Sequence, residues 1–346
     1  MTEGRVQWYR QFSNEEMKPF PDIENEIIED AYQKREKKIE LDDYIIELDD
    51  GMQISKENSV KKISIKRLTN IESYQHLRPE RFFSNEIQAS PENVKTYGEH
   101  DLGSIFIRRW LYRNNLAYYD LITNQSIASN VLAMATCGIL TEGIQLGKEI
   151  ETKWICNYLE NVIGKSSIEI LQCCVHLYTR ESFLYKLVNK TLREEDTTKI
   201  DTLAPFCALL AAYLRKCCVY DDAHVHSLIS TNDNSYFDVV YRGANLTVEM
   251  IEAYRKGVGK SFVWNSFTST SKNRQKAELY GNTLFVIHID IIPSIGFQSF
   301  ADIQPYSQFP IEEEVLLAAG GYIKIYSINE QPDGKYVIVF RTVVPT

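Results

Sequence analysis

Residues 235–243 read SYFDVVYRG, 260–271 read KSFVWNSFTSTS, 282–292 read NTLFVIHIDII and 312–321 read EEEVLLAAGG. Apolar, β-branched and aromatic residues dominate these runs at a period of two, the pattern of strands with at least one buried face. YIKIYSI (322–328) and KYVIVFRTV (335–343) continue it, and one helical stretch, TVEMIEAYRKG (247–257), interrupts it. Upstream, from about 104 to 218, the period is helical. WICNYLENV places Trp154, Ile155, Tyr158, Leu159 and Val162 on one face, and LAPFCALLAAYL does the same with Leu203, Phe206, Leu210, Tyr213 and Leu214. Pro205 is placed in a first helical turn, where it is tolerated. Helices followed by a largely antiparallel sheet make an α+β plan.

Residues 5 to 68 form a smaller α+β unit. VQWYRQF leads to a helix over ENEIIEDAYQKREKK, started by the Pro and Asp of PFPDIEN, and then to the period-two runs DDYIIELDD, GMQIS and KKISIKRL, the last two separated by the polar turn SKENS. Between 75 and 100, HLRPERFFSNEIQASPEN has two prolines and few periodic hydrophobics, and reads as a linker. The expected division is therefore 1–75, a small module; 76–164, linker and helices; and 165–346, the sheet-bearing domain.

The chain has 346 residues, 44% of them hydrophobic, enough for more than one core. Its 38 Lys and Arg against 47 Asp and Glu leave a net charge of −9, poorly suited to wrapping a phosphate backbone, so nucleic acid is not an expected partner. The seven cysteines are odd in number, sit in apolar segments and lack the spacing of zinc ligands. They read as buried thiols of a reducing compartment, and no metal is expected. The start, MTEGRVQWYRQF, has no apolar signal core, and no run reaches the roughly 18 apolar residues of a membrane span, so an intracellular place, cytoplasmic or nuclear and off the membrane, is expected.

Three short signatures lie along the strands in order: Tyr241-Arg242-Gly243, Phe267-Thr268-Ser269-Thr270-Ser271 and Glu312-Glu313-Glu314. Each alone has a plain explanation as a solvated charge, a turn or an acidic surface. Together, the segment from about 165 onward resembles the arginine-specific mono-ADP-ribosyltransferases, whose sites carry an Arg, an STS and an ExE motif. YTRESFLYKLVNKTLREED (178–196) resembles the helical part that precedes their core. The resemblance implies NAD as substrate, with the choice between NAD and NADP left open, no metal, and arginine-containing proteins as targets. It implies that Arg242 clamps the NAD phosphates, that Ser269 holds Glu314 and the nicotinamide ribose in register, and that Glu314 opposes the positive charge developing on that ribose. Gly243 would let the cofactor approach the backbone, and Thr270 lies within the same cofactor-binding stretch. Glu312, two residues from Glu314, would share its side of a strand and orient the incoming guanidinium, leaving Glu313 as a solvated acid.

Two further readings stay open: an NAD glycohydrolase using the same Arg, Ser and Glu, and a non-catalytic reader or scaffold of ADP-ribosylated proteins. Phe300, Tyr306 and Phe309, before the acids, are candidates for substrate contact, while His288, His224 and His226 read as structural or solvated.

Residues 5 to 67 resemble the WWE family, through Trp8, Glu29 and Tyr32, through Tyr44 nine residues before Gln53, and through Ile65-Lys66-Arg67. The resemblance implies recognition of ADP-ribose or poly-ADP-ribose, with Tyr44 and Gln53 as ligand contacts and Lys62 in place of a phosphate-binding Arg. Phe20 stands nearest to the family's second Trp, and Ile63 interrupts the basic run. The module's chemistry is expected to be separate from that of the C-terminal half.

Overall fold

The computed structural model describes residues 5–12, 16–71, 103–219, 239–289 and 300–343. The linker stretch and the pair His224 and His226 lie outside them. The first unit is a six-stranded antiparallel sheet in the order β2-β1-β6-β5-β4-β3. Its strands are β1 (Arg5–Gln11), β2 (Met17–Pro19), β3 (Lys38–Glu40), β4 (Tyr44–Glu47), β5 (Met52–Ser55) and β6 (Lys62–Ile71), and α1 (Asp22–Gln33) lies against it. Ile28 and Ala31 of the helix meet Trp8, Phe20, Ile39, Leu41, Ile46 and Ile65 in one apolar cluster. Beside it, Glu29 accepts hydrogen bonds from the Trp8 indole (2.8 Å) and from two nitrogens of Arg67 (2.7 and 2.9 Å), whose guanidinium stacks over Tyr32. Burial opposes ionisation of Glu29, but these donors and Gln33 outweigh it and hold its pKa at about 2. Trp8, Glu29, Tyr32 and Arg67, the residues that gave the module its resemblance, thus form one structural knot.

The module is tied to the helices that follow. Ile23 belongs to their apolar cluster, and Ile27 packs against both cores. Asp22 accepts from the Glu181 backbone N–H at 2.8 Å, and Glu26 pairs with Arg180. From the turn between β3 and β4, Asp42 accepts from the backbone N–H groups of Ile150 (2.7 Å) and Glu151 (3.2 Å). This caps α5 (Glu149–Glu160), whose own N-cap residue, Lys148, makes no side-chain cap and instead pairs with Asp43.

The helices α2 (Ile105–Arg113), α3 (Tyr118–Thr123), α4 (Gln125–Gln145), α5, α6 (Ser167–Thr179), α7 (Phe183–Glu194) and α8 (Ile200–Val219) share one apolar cluster. α8 is buried on every side from Leu203 to Leu214, more than the single face expected of it. It also starts a turn earlier than expected, so Pro205 sits inside the helix. That early start is held by Thr202 and Lys199, both bound to the Glu142 carboxylate of α4. α4 is long and apolar enough, by length and composition, to cross a membrane, yet Val131, Leu132, Ala135 and Ile139 place one side of it in this core. Four cysteines, Cys156, Cys173, Cys174 and Cys207, are buried as expected, whereas Cys137 is exposed.

The second sheet has eight strands in the order β11-β12-β9-β7-β10-β14-β13-β8. They are β7 (Val239–Ala244), β8 (Ser261–Trp264), β9 (Thr268–Ser271), β10 (Thr283–His288), β11 (Phe300–Asp302), β12 (Glu314–Leu317), β13 (Gly321–Glu330) and β14 (Tyr336–Thr342). All neighbours are antiparallel except β10 and β14. Leu316 and Phe267 join the helical cluster, while Val315, Leu317, Phe285 and Phe340 join a second cluster with α9 (Val248–Lys256), so the sheet is covered on both faces. KSFVWNSFTSTS is two strands, broken at 265–267, and a short helix, α10 (Arg274–Glu278), follows the second.

Gly243 has a steric reason of its own. A Cβ at this position would lie 2.2 Å from the carbonyl oxygen of Ala277 and 2.3 Å from that of Tyr280, so the chain itself packs against the glycine on that side. Gly243→Ala is expected to destabilise the protein by about 1–3 kcal/mol in urea unfolding, the usual cost of overpacking; unchanged stability would show that the close approach is dispensable.

At the module's junction, burial and then neighbouring Glu24 push the Glu151 pKa up to about 7, against the Phe183 N–H that the carboxylate accepts at 2.9 Å. Between the ordinary carboxylate value and this raised one, the native state keeps a proton that the unfolded chain has released, so stability falls as pH rises through that window. Glu151→Gln keeps the acceptor and removes the charge. Its unfolding free energy, measured with urea, should match the parent at pH 4 and exceed it above pH 7 by on the order of 2–3 kcal/mol.

Candidate functional site

Arg242, the STS stretch and Glu314 lie on β7, β9 and β12, which are separated in the chain by other strands but adjacent in the sheet. β12 pairs with β9 so that Glu314 is opposite Ser271 and Leu316 opposite Ser269. Directly paired residues of antiparallel strands share a face, so Ser269, Ser271 and Glu314 occupy the side on which Leu316 and Phe267 meet the helices. All three are buried. Thr270 points to the opposite face, where its hydroxyl donates to the Val315 carbonyl at 2.7 Å. Its side chain is a strut between strands, on the face away from Ser269, Ser271 and Glu314.

The ladder between β7 and β9 contains one pair, Tyr241 opposite Ser271. Next to it, the side chain of Arg242 reaches across and donates to the Ser269 carbonyl at 2.8 Å. The guanidinium is buried, and desolvation pulls its pKa below the ordinary value, countered by Tyr185 and Tyr178 of the helices and Tyr254 of α9. A cation held away from water in this way depends on oriented groups of the protein to replace its hydration.

Glu312 is not on a strand as expected. Pro310–Glu312 form a 3₁₀ turn, Glu313 takes a left-handed conformation with φ 49°, and β12 begins at Glu314. The simple alternation that would align Glu312 with Glu314 is therefore absent. The left-handed residue replaces it, turning the backbone so that Glu312 and Glu314 are both buried. Glu313 is not simply solvated either. Its carboxylate accepts from Lys276 (2.5 Å) and Asn273 (3.3 Å), and the Lys276 hydrogen bond draws its pKa below the usual range against the effect of burial.

The turn is clamped at several points that the sequence reading missed. The Ser271 hydroxyl donates to the Glu312 carbonyl (2.7 Å) and accepts from the Asn273 N–H (3.0 Å). The Lys272 N–H donates to the Glu313 carbonyl (3.0 Å), and the Lys276 ammonium also reaches the Ile311 carbonyl. Asn273 caps α10 by accepting from the Lys276 N–H. Asn followed by RQKAE is a readable helix start, and reading it would have placed Lys276 one turn in, beside the cap. Of the aromatic candidates, Phe300 and Phe309 are buried, while Tyr306 is partly buried with its ring edge on Tyr213. His288 is exposed at the end of β10.

In the N-terminal unit, Tyr44 and Gln53 come together around Arg10. Its Nε donates to the Gln53 amide oxygen at 3.0 Å, its Nη2 pairs with Glu24 at 2.7 Å, and its guanidinium lies over the rings of Phe20 and Tyr44. Lys62 does not join them. It pairs with Ile54, one step out of register from the Gln53–Ile63 pair, and so lies on the other face, exposed.

The sequence model of a family described as NAD:arginine ADP-ribosyltransferase matches residues 167–340, half of the chain, and that of the WWE domain matches residues 6–67. No curated protein matches. Similar solved structures include the ADP-ribosyltransferase HopU1 of Pseudomonas syringae pv. Tomato DC3000, 20% identical over 55% of this chain and 83% of that one, with a TM-score of 0.41. Others are Plx2a, an ADP-ribosyltransferase toxin from Paenibacillus larvae (18%, 51% and 87%, 0.38), and Vis toxin, an ADP-ribosyltransferase from Vibrio splendidus (18%, 50% and 73%, 0.34). With its buried Arg, Ser and Glu on adjacent strands and the family match spanning all three, the chain belongs to the NAD:arginine ADP-ribosyltransferase family and is an NAD-dependent ADP-ribosyltransferase carrying an N-terminal WWE domain.

Proposed function

We propose that the chain transfers ADP-ribose from NAD to arginine side chains of proteins, with release of nicotinamide. The observation that carries this reading is the burial of two carboxylates, Glu312 and Glu314, at one strand entrance, two strands from the buried cation of Arg242. The cation suits the NAD diphosphate, which a planar guanidinium binds with paired donors. The bond between the ribose C1′ and the nicotinamide nitrogen breaks with its electron pair leaving on nicotinamide. Glu314, at the face shared with Ser269 and Ser271, stabilises the resulting oxocarbenium charge more than it stabilises bound NAD. A guanidinium nitrogen then bonds to C1′ and gives up a proton. Glu312 is the group assigned to orient that nitrogen and take the proton.

A glycohydrolase would use water in place of the guanidinium, so the two activities separate when adduct and free ADP-ribose are measured independently. With labelled NAD and agmatine as acceptor, Glu314→Gln is expected to lower both activities by on the order of 10²–10³. Glu312→Gln is expected to lower adduct formation by about 10²-fold or more while hydrolysis persists. Wild-type protein that forms no agmatine adduct but releases ADP-ribose would establish the glycohydrolase instead.

The same proposal extends to the WWE domain, whose ADP-ribose recognition is assigned to Tyr44 and Gln53. Both already engage Arg10, and Glu24 and Asp43 bring negative charge close by. Binding of ADP-ribose to the full chain at this cluster is therefore expected to be weak, in the millimolar range. Calorimetry with non-hydrolysable NAD saturating the other site tests it. A micromolar affinity abolished by Tyr44→Ala would show that Arg10 yields to the ligand.

A further inference from the structure

The loop that ends in Glu312 is fastened to the helical layer, and the helical layer is fastened to the WWE domain at the same place. At the end of α6, the Thr179 hydroxyl accepts from the Gln308 N–H (2.9 Å) and donates to the His176 carbonyl (2.7 Å). The His176 ring contacts the Tyr306 carbonyl through Nδ1 (3.1 Å) and the Arg180 guanidinium through Nε2 (2.9 Å). A guanidinium has no lone pair to offer and a carbonyl has no proton, so the ring is neutral with its proton on Nδ1, donating to Tyr306 and accepting from Arg180. Arg180 is itself buried, lies over the rings of Trp154 and Tyr158, and pairs with Glu26 of α1. Asp22, one turn earlier on the same face of α1, holds the next backbone N–H, that of Glu181. Beyond Gln308, the Glu312 N–H donates to the Phe309 carbonyl (3.0 Å), closing the 3₁₀ turn that presents the acid.

We propose that the WWE domain is a working part of the transfer site: Glu26, Arg180 and His176 are positioning residues that fix the loop from Ile303 to Phe309, and with it Glu312, for capture of the acceptor. The proposal rests on the assignment of Glu312 to the acceptor. Glu26 supplies the anion without which Arg180 would be a buried cation lacking its carboxylate. Arg180 keeps its ring-stacked position and so presents the donor that selects the His176 tautomer, and that tautomer supplies the proton that Tyr306 accepts. Arg242, Ser269 and Glu314 make none of the hydrogen bonds just described, so the effect is expected on acceptor capture more than on NAD cleavage.

Glu26→Gln in the full chain tests this, because Glu26 lies on the WWE domain and touches none of the groups assigned to NAD. The expected result is a rise of about 5–10-fold in the KM for agmatine, the low end of typical coupling between sites. The KM for NAD and the rate of hydrolysis should stay within twofold. Glu26→Gln added to His176→Gln should have little further effect, since the path is already cut, whereas independent structural damage would add. Hydrogen exchange supplies a readout that needs no acceptor: in Glu26→Gln the Gln308 amide should exchange on the order of tenfold faster, while the amides of β9 and β12 keep their relative protection. An unaltered agmatine KM in a wild type that does modify agmatine overturns the proposal and leaves the arginine reading intact. If the wild type makes no adduct, the arginine reading fails by itself, and unchanged exchange at Gln308 then overturns the positioning role separately.

Discussion

The burial of the Arg242 guanidinium between β7 and β9 is the constraint on which the rest of the site depends. Those two strands share a single ladder pair, and the side chain completes the junction by donating to the Ser269 carbonyl. A buried cation is tolerated only where oriented oxygens and aromatic rings replace its water, and here they come from both layers of the domain. Tyr178 and Tyr185 are supplied by the helices, and Tyr254 by the helix on the other side of the sheet. The helical layer is therefore part of the site's electrostatics as well as its cover.

The second constraint is the turn before β12. A left-handed, non-glycine residue is sparsely populated and persists only where its surroundings fix it. Glu313 is fixed from three directions, through the Lys272 N–H to its carbonyl and through Lys276 and Asn273 to its carboxylate. Ser271, the last residue of the STS stretch, holds the Glu312 carbonyl. The serine and glutamate signatures are thus mechanically joined, because the end of one strand sets the conformation of the residues that open the next. The same turn leans on α6 through Tyr306 and Gln308, and α6 leans on the WWE domain through Arg180.

Much of this was legible in the residues. The change from helical to strand period near 235 marked the two layers, and the WWE domain's helix and strands stood out by their alternation. The errors cluster where backbone geometry departs from regular repeats or where burial comes from a neighbour distant in sequence. Glu312 was assigned to a strand because alternation cannot announce a left-handed residue. The packing need for glycine at 243 went unseen because nothing local shows that Ala277 and Tyr280 lie against it. Thr270 was grouped with Ser269 although adjacent strand residues face opposite ways. That the WWE domain docks on the helices could not be read locally, because the acids that dock it, Asp22, Glu26 and Asp42, look in sequence like the solvated charges around them.

By itself, the sequence determined the kinds of group available and their order: a cation, hydroxyls and carboxylates placed beside strands, with an α+β module ahead of them. Periodicity and residue chemistry are local properties, so they survive in a string of letters. Only the tertiary structure decided that β7, β9 and β12 are neighbours, that two of three consecutive glutamates are buried, and that the first domain bears on the loop of the second. Those outcomes depend on strand pairing, desolvation and hydrogen bonds between residues as far as 159 positions apart, as between Glu181 and Asp22. Contacts of that span are fixed by packing of the whole chain, which no local pattern encodes.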